Sequence, residues 1–133
     1  MHNRVLTADN MSKRNRPCNP ICRLCLCTNE TTSHLLTECN FSEAVWDRVA
    51  STFNLPNYST MRTNVAPAGW VNHILAFGNK EEKKKSLGVL FTCWWMIWKE
   101  RNRRTFDHKE ITALQLSSLI CDEVRLLNFA LSA

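Results

Sequence analysis

Apolar side chains recur along this chain with the period of a helix. Phe41, Val45, Val49 and Phe53 return every four residues, and Trp46 and Ala50 widen the same face. That spacing predicts an amphipathic helix from Ser42 to about Phe53 that buries one stripe. Ser42 is the expected N-cap, with Glu43 near the positive end of the helix dipole. Trp70, Ile74 and Phe77 predict a short helix between Ala68 and the stop signal Gly78-Asn79. A long helix is expected from about Glu81 to Phe106, with Leu87, Leu90, Phe91, Trp94 and Trp98 at helical spacing. Its centre adds Trp95, Met96 and Ile97, so it is apolar nearly all round, which predicts burial on several sides. Thr112-Ala113-Leu114-Gln115 has the form of a capping box and opens a last helix with Leu116, Leu119, Ile120, Val124 and Leu127 along one face. Near the start, Leu6 to Arg14 predicts a short helix that Pro17 and Pro20 terminate. No segment alternates strictly between polar and apolar residues, so the fold class expected is mostly α.

The polar run Asn57-Tyr58-Ser59-Thr60, bracketed by Pro56 and Pro67, reads as a break between two halves. The expected organisation is therefore an N-terminal part over residues 1–54, a loop or linker over 55–67, and a helical, bundle-like half over 68–133. With 133 residues, 44% of them hydrophobic and 22% charged, the composition is that of a globular chain and excludes disorder and low-complexity classes. Seventeen basic against twelve acidic side chains give a net charge of +5, which permits a polyanionic partner without requiring one. The basic residues concentrate in 1–27 and 80–109.

The first residues lack the apolar core of a secretory signal, and the longest apolar stretch, Leu87 to Trp98, is far short of the ~20 residues that span a bilayer. Seven cysteines, an odd number, without a signal peptide point to a reducing compartment in which thiols stay free or bind metal. The expectation is an intracellular protein, not secreted, in nucleus or cytoplasm, with no membrane partner and no small-molecule substrate. No phosphate loop, nucleophile elbow or paired carboxylates near a glycine turn stand out, so no catalytic residue is assigned and no enzyme is expected.

The cysteines carry the chemistry. Cys22, Cys25, His34 and Cys39 form the pattern C-x2-C-x8-H-x4-C in a polar, loop-like segment. Zn²⁺ takes four soft or borderline ligands at tetrahedral corners, and a C-x2-C step sets two thiolates on one tight turn. The polar stretch Thr28 to Ser33 lets the chain double back, Thr31 or Thr32 caps a turn that presents His34, and Cys39 closes the shell. Four protein ligands leave no open position, so the expected cofactor is a structural zinc in a small CCHC knuckle. Cys18 and Cys27 lie within reach and leave the fourth ligand open. Cys93 and Cys121 sit on apolar helical segments and read as small core residues. His2, His73 and His108 are isolated and read as ordinary histidines. Glu30 or Glu38 can be imagined as a general base, but nothing else supports it.

These residues resemble the reverse-transcriptase zinc-binding domain of plant non-LTR (LINE-type) retrotransposons. The resemblance rests on Leu6-Thr7-Ala8-Asp9-Asn10-Met11, the Cys22/Cys25 pair, Glu30-Thr31-x-x-His34-Leu35-Leu36, Cys39, Phe41 with Val45-Trp46, and Ile97-Trp98-Lys99-Glu100-Arg101-Asn102-Arg103-Arg104-Thr105-Phe106. It runs over about residues 4–106 and implies that the family's CCHC ligands fall on Cys22, Cys25, His34 and Cys39. The family pattern has a further aromatic helical segment ahead of Leu6, so the resemblance implies an N-terminally truncated piece, detached from the polymerase. It also implies a role in gripping template RNA or target DNA beside a polymerase.

Two readings of function follow. In the first, the module binds RNA or DNA through Lys13, Arg14, Arg16 and Arg23 around the knuckle and through Lys99, Arg101, Arg103 and Arg104 at the end of the long helix, by salt-sensitive phosphate contacts. The alternative is a structural or interaction remnant whose Trp94–Trp98 helix docks onto a protein partner and which has no nucleic-acid activity of its own.

Overall fold

The computed structural model describes residues 21–132; the helix expected over Leu6–Arg14 lies outside them. The chain enters through a loop closed by an isolated antiparallel bridge between Ile21 and Asn29. A π-helical turn, His34–Glu38, then leads into α1 (Asn40–Phe53), the single-turn α2 (Tyr58–Met61), α3 (Pro67–Leu75) and α4 (Lys80–Asn102). A second π-helical turn, Arg103–Asp107, precedes α5 (Ala113–Ser132). Among the described residues there is no strand, and the chain is mostly helical.

Helix α1 buries Val45, Trp46, Val49 and Ala50, with Phe41 and Phe53 packed at the margin, as the four-residue repeat predicts. Its cap differs from the expectation. The π turn ends when the Cys39 N–H reaches the His34 carbonyl at 2.7 Å, and Cys39 itself, with extended backbone, is the N-cap. Ser42 therefore falls inside the helix, fully buried, and its hydroxyl donates to the Leu35 carbonyl at 2.6 Å.

Asn79 caps α4 by accepting the Glu82 N–H at 2.9 Å, directly after Gly78, whose φ of +83° is the left-handed conformation glycine adopts without strain. The inner side of α4 buries Val89, Leu90, Cys93, Trp94 and Ile97. Its outer side is open: Trp95 is 58% exposed and Phe91 49%. The helix is thus buried on several sides, as its apolar pattern predicts, with this one side left open. α1, α3 and α5 pack against it, and none of them covers the Phe91–Trp95 face.

Both reciprocal bonds of the capping box at α5 form: the Gln115 N–H donates to Thr112 Oγ1 at 3.1 Å and the Thr112 N–H to Gln115 Oε1 at 2.9 Å. Leu116, Ile120, Cys121 and Val124 are buried, whereas Leu119, turned off that stripe, is exposed. Leu127 comes so close to α4 that a Cβ on Gly88 would meet it at 3.2 Å.

Three tryptophans join the halves. Trp46 of α1 meets Trp70 of α3 edge-on at 4.9 Å, and Trp70 lies 6.2 Å from Trp94 of α4. The buried cluster runs continuously from Cys22 to Val124. The 55–67 segment, expected as a loop, contributes to it through Leu55 and the fully buried Met61 of α2. No helix among the described residues is long and apolar enough to cross a membrane.

Candidate metal centre

A tight loop sets the first two thiols. The Cys22 N–H donates to the Thr28 carbonyl at 2.8 Å and the Leu26 N–H to the Cys22 carbonyl at 2.9 Å. Leu26 takes the left-handed conformation, φ 57°, at a cost of about 1–2 kcal/mol for an L-residue. His34 opens the π turn, its N–H accepted by Thr31 Oγ1 at 3.0 Å, which is the capping role expected of Thr31 or Thr32. Leu35 and Leu36 beside it are fully buried, and the Trp46 indole N–H donates to the Leu36 carbonyl at 3.3 Å. The turn that carries the imidazole is thereby packed onto α1, whose own N-cap is the fourth candidate ligand, Cys39.

The four candidate ligand atoms, from Cys22, Cys25, His34 and Cys39, all lie within 4.8 Å of one another. Cys22 Sγ and Cys39 Sγ are 3.8 Å apart, and Cys25 Sγ is 3.3 Å from His34 Nε2. Zn–S bonds of about 2.3 Å at tetrahedral angles give a sulfur–sulfur edge of about 3.8 Å, and a sulfur–nitrogen edge of about 3.6 Å. The donor set and spacing fit zinc. Three thiolates and one imidazole would hold the ion and leave it no open position for substrate.

The electrostatics favour thiolate at Cys39. The Cys22 thiol hydrogen-bonds it, and the Ser42 and Phe41 N–H groups at the start of α1 reach it as well, which together hold its pKa below the ordinary thiol value. Cys22 moves the other way, raised first by its hydrogen bond to Cys39 and then by burial. Metal binding to thiols displaces their protons. Cys27 stands apart from the four: it is exposed and its thiol donates to the Cys25 carbonyl at 3.1 Å. Cys18 lies outside the described residues.

A second set of charges ties this centre to the long helix. Glu30 is buried beside the Cys22–Cys25 loop, where its Oε2 accepts the Arg23 N–H at 3.4 Å. Its Oε1 takes Nε and Nη2 of Arg101, each at 3.0 Å. Arg104 donates to Glu100 Oε2 at 2.9 Å, to the Ile111 carbonyl at 2.8 Å and to the Leu24 carbonyl at 3.3 Å, with its guanidinium 4.5 Å from the Phe41 ring centre. Glu100 is fully buried and also accepts the Ile111 N–H. Arg103 Nε lies 3.2 Å from Glu100 Oε1, although that oxygen receives no well-angled hydrogen bond.

The basic residues singled out in the sequence therefore divide. Arg101 and Arg104 turn inward, where carboxylates and carbonyls occupy their guanidinium groups and tie the Cys22–Cys25 loop to the end of α4. Lys99 is exposed, while Arg23 and Arg103 are partly exposed. Lys13, Arg14 and Arg16 lie outside the described residues. Sequence reasoning missed Glu100 and the bracing role of Glu30. The Glu100–Arg103 and Glu100–Arg104 spacings, three and four residues, were the available signal for the first; nothing local marks the second. Cys93 and Cys121 are buried, as expected of core residues. His73 reaches the Pro56 carbonyl at 3.3 Å and His108 is exposed, both away from the centre, and His2 lies outside the described residues.

Residues 1–46 match a family model described as zinc-binding in reverse transcriptase. The match takes in all four clustered residues and ends at Trp46; the Ile97–Phe106 part of the resemblance lies beyond it. No curated protein and no solved structure matches the chain. Over residues 1–46 the chain is thus similar to the reverse-transcriptase zinc-binding family, and the four clustered residues lie within that matched stretch.

Proposed function

We propose that this chain is a non-catalytic module, folded around a structural zinc ion held by Cys22, Cys25, His34 and Cys39, that binds RNA or DNA. The observation that carries the metal reading is the convergence of four ligand atoms of the right chemistry within 4.8 Å. A closed four-ligand shell supports a structural role, since catalytic zinc keeps a position for water. Glu30, a buried acid beside the centre, is engaged by Arg101 and is a poor general base.

Nucleic-acid binding is supported by the net charge of +5, by the family's place beside a polymerase, and by the cations that remain at the surface, Lys99, Arg103 and Arg23, with Lys13, Arg14 and Arg16 ahead of the knuckle. Free thiols at every described cysteine fit a reducing, intracellular compartment. Filter binding of short single-stranded and duplex RNA and DNA at low and physiological salt tests the reading. Binding that weakens steeply with salt is expected; none at low salt overturns it.

The exposed Phe91 and Trp95 favour a second reading, in which that face of α4 docks onto a protein partner. Sedimentation tests it: self-association or capture of polymerase segments supports it, and a clean monomer that ignores them removes it.

A further inference from the structure

Trp95, Lys99, Arg103 and Phe106 follow one another along α4 and its terminal π turn at intervals of four, four and three residues. At about 100° per residue they share one helical face. The two outer members are large aromatics in solvent, Trp95 at 58% and Phe106 at 57% exposure. Lys99, between them, is exposed and has no ion-pair partner among the described residues, while Arg103, paired through Nε with the buried Glu100, keeps 32% of its side chain accessible. Two surface grooves meet on this face. One, of about 410 Å³, is lined by Trp95, Met96 and Lys99; the other, of about 600 Å³, by Lys99, Asn102, Arg103 and Phe106. Lys99 lines both, which sets the two side by side along the face from Trp95 to Phe106. Its eleven-residue length is about 16 Å at 1.5 Å per residue, which matches about five stacked nucleotides.

Exposed aromatics that offer a flat face, alternating with cations, are the elements with which proteins hold unpaired nucleic acid: bases stack on the rings while phosphates pass the cations. A duplex keeps its bases stacked inside and cannot use the rings. The two carboxylates in the lining, Glu123 in the first groove and Asp107 in the second, disfavour a purely electrostatic site for any polyanion. Stacking must then supply part of the affinity. We propose that this face of α4 is a binding track for a single-stranded nucleic acid, with bases on Trp95 and Phe106 and phosphates on Lys99 and Arg103. The inference rests on the nucleic-acid reading above and assigns its site and its strand state.

Fluorescence anisotropy of the whole, zinc-loaded chain with labelled oligouridylate, oligothymidylate and a duplex of equal length tests it. The single strands are expected to bind more tightly than the duplex, and the two single-strand arms distinguish RNA from DNA. Trp95→Ala and Phe106→Ala should each weaken single-strand binding about tenfold, with Trp95→Tyr retaining most of it. The pair Lys99→Gln and Arg103→Gln should lower the salt slope by about 1.4. Circular dichroism and zinc content serve as folding controls. Aromatic variants that bind as the unchanged chain does, or a preference for duplex, overturn the track and leave the wider reading standing. Failure of the unchanged chain to bind any of the three at low salt overturns both.

Discussion

Arg101 closes on Glu30 across 71 positions of sequence, with Nε and Nη2 each 3.0 Å from one carboxylate oxygen and both side chains withdrawn from solvent. The pair joins the end of the long helix to the loop that carries Cys22 and Cys25. Desolvating two charges is costly, so such a pair adds little net stability over apolar residues of the same size. Removing one partner, however, strands a buried charge at about 3–5 kcal/mol. Arg101→Met or Glu30→Leu alone should therefore lower the unfolding free energy by that amount in urea titrations, and the double variant should recover much of the loss. Single variants that unfold within about 1 kcal/mol of the unchanged chain would show that the pair is not the brace described above.

Cys93 is fully buried on α4, and burial pushes its thiol pKa well above the ordinary value. In the unfolded chain that thiol ionises near pH 8.5, whereas in the folded chain it stays neutral. The unfolded state then binds fewer protons, so stability present below pH 8.5 falls as pH rises above it, by up to about 1.4 kcal/mol per pH unit for this group. Thermal melts of the unchanged chain and of Cys93→Val, compared from about pH 7 to pH 10, should diverge in slope above pH 8.5, with the valine variant flatter. Parallel curves would place the alkaline loss elsewhere.

What the sequence disclosed were the features whose cause lies within one or two turns of chain. The α1 stripe from Val45 to Ala50 and the Thr112–Gln115 box depend on neighbours three and four residues apart, and the metal-ligand spacing occupies a single short segment. The features hidden from it have distant causes. Arg101 looks like a surface cation until Glu30 is brought to it from 71 residues away. Trp95 and Trp94 are adjacent in an unbroken apolar run, and only the placement of α1, α3 and α5 decides which of them is buried. Ser42 has ideal cap chemistry, but the π turn ahead of it starts the helix earlier and gives the cap to Cys39.

Thr112 satisfies the first free N–H groups of α5 in concert with Gln115. Thr112→Ala should cost about 1 kcal/mol, read as a lower urea midpoint at unchanged denaturant slope, and Thr112→Ser should restore it. A loss below a few tenths of a kcal/mol would mean that packing of Leu116 and Ile120, not the cap, sets where α5 begins.

The central claim is that one zinc ion, held by three sulfurs and one imidazole, organises the N-terminal part of this fold. Metal analysis of the gently purified chain, paired with circular dichroism before and after chelation, tests it most directly. We expect one zinc per chain, helix content and thermal stability that fall on chelation and return with added zinc, and loss of the metal in Cys25→Ser and Cys39→Ser. A metal-free chain with the same spectrum and the same melting temperature would contradict the account.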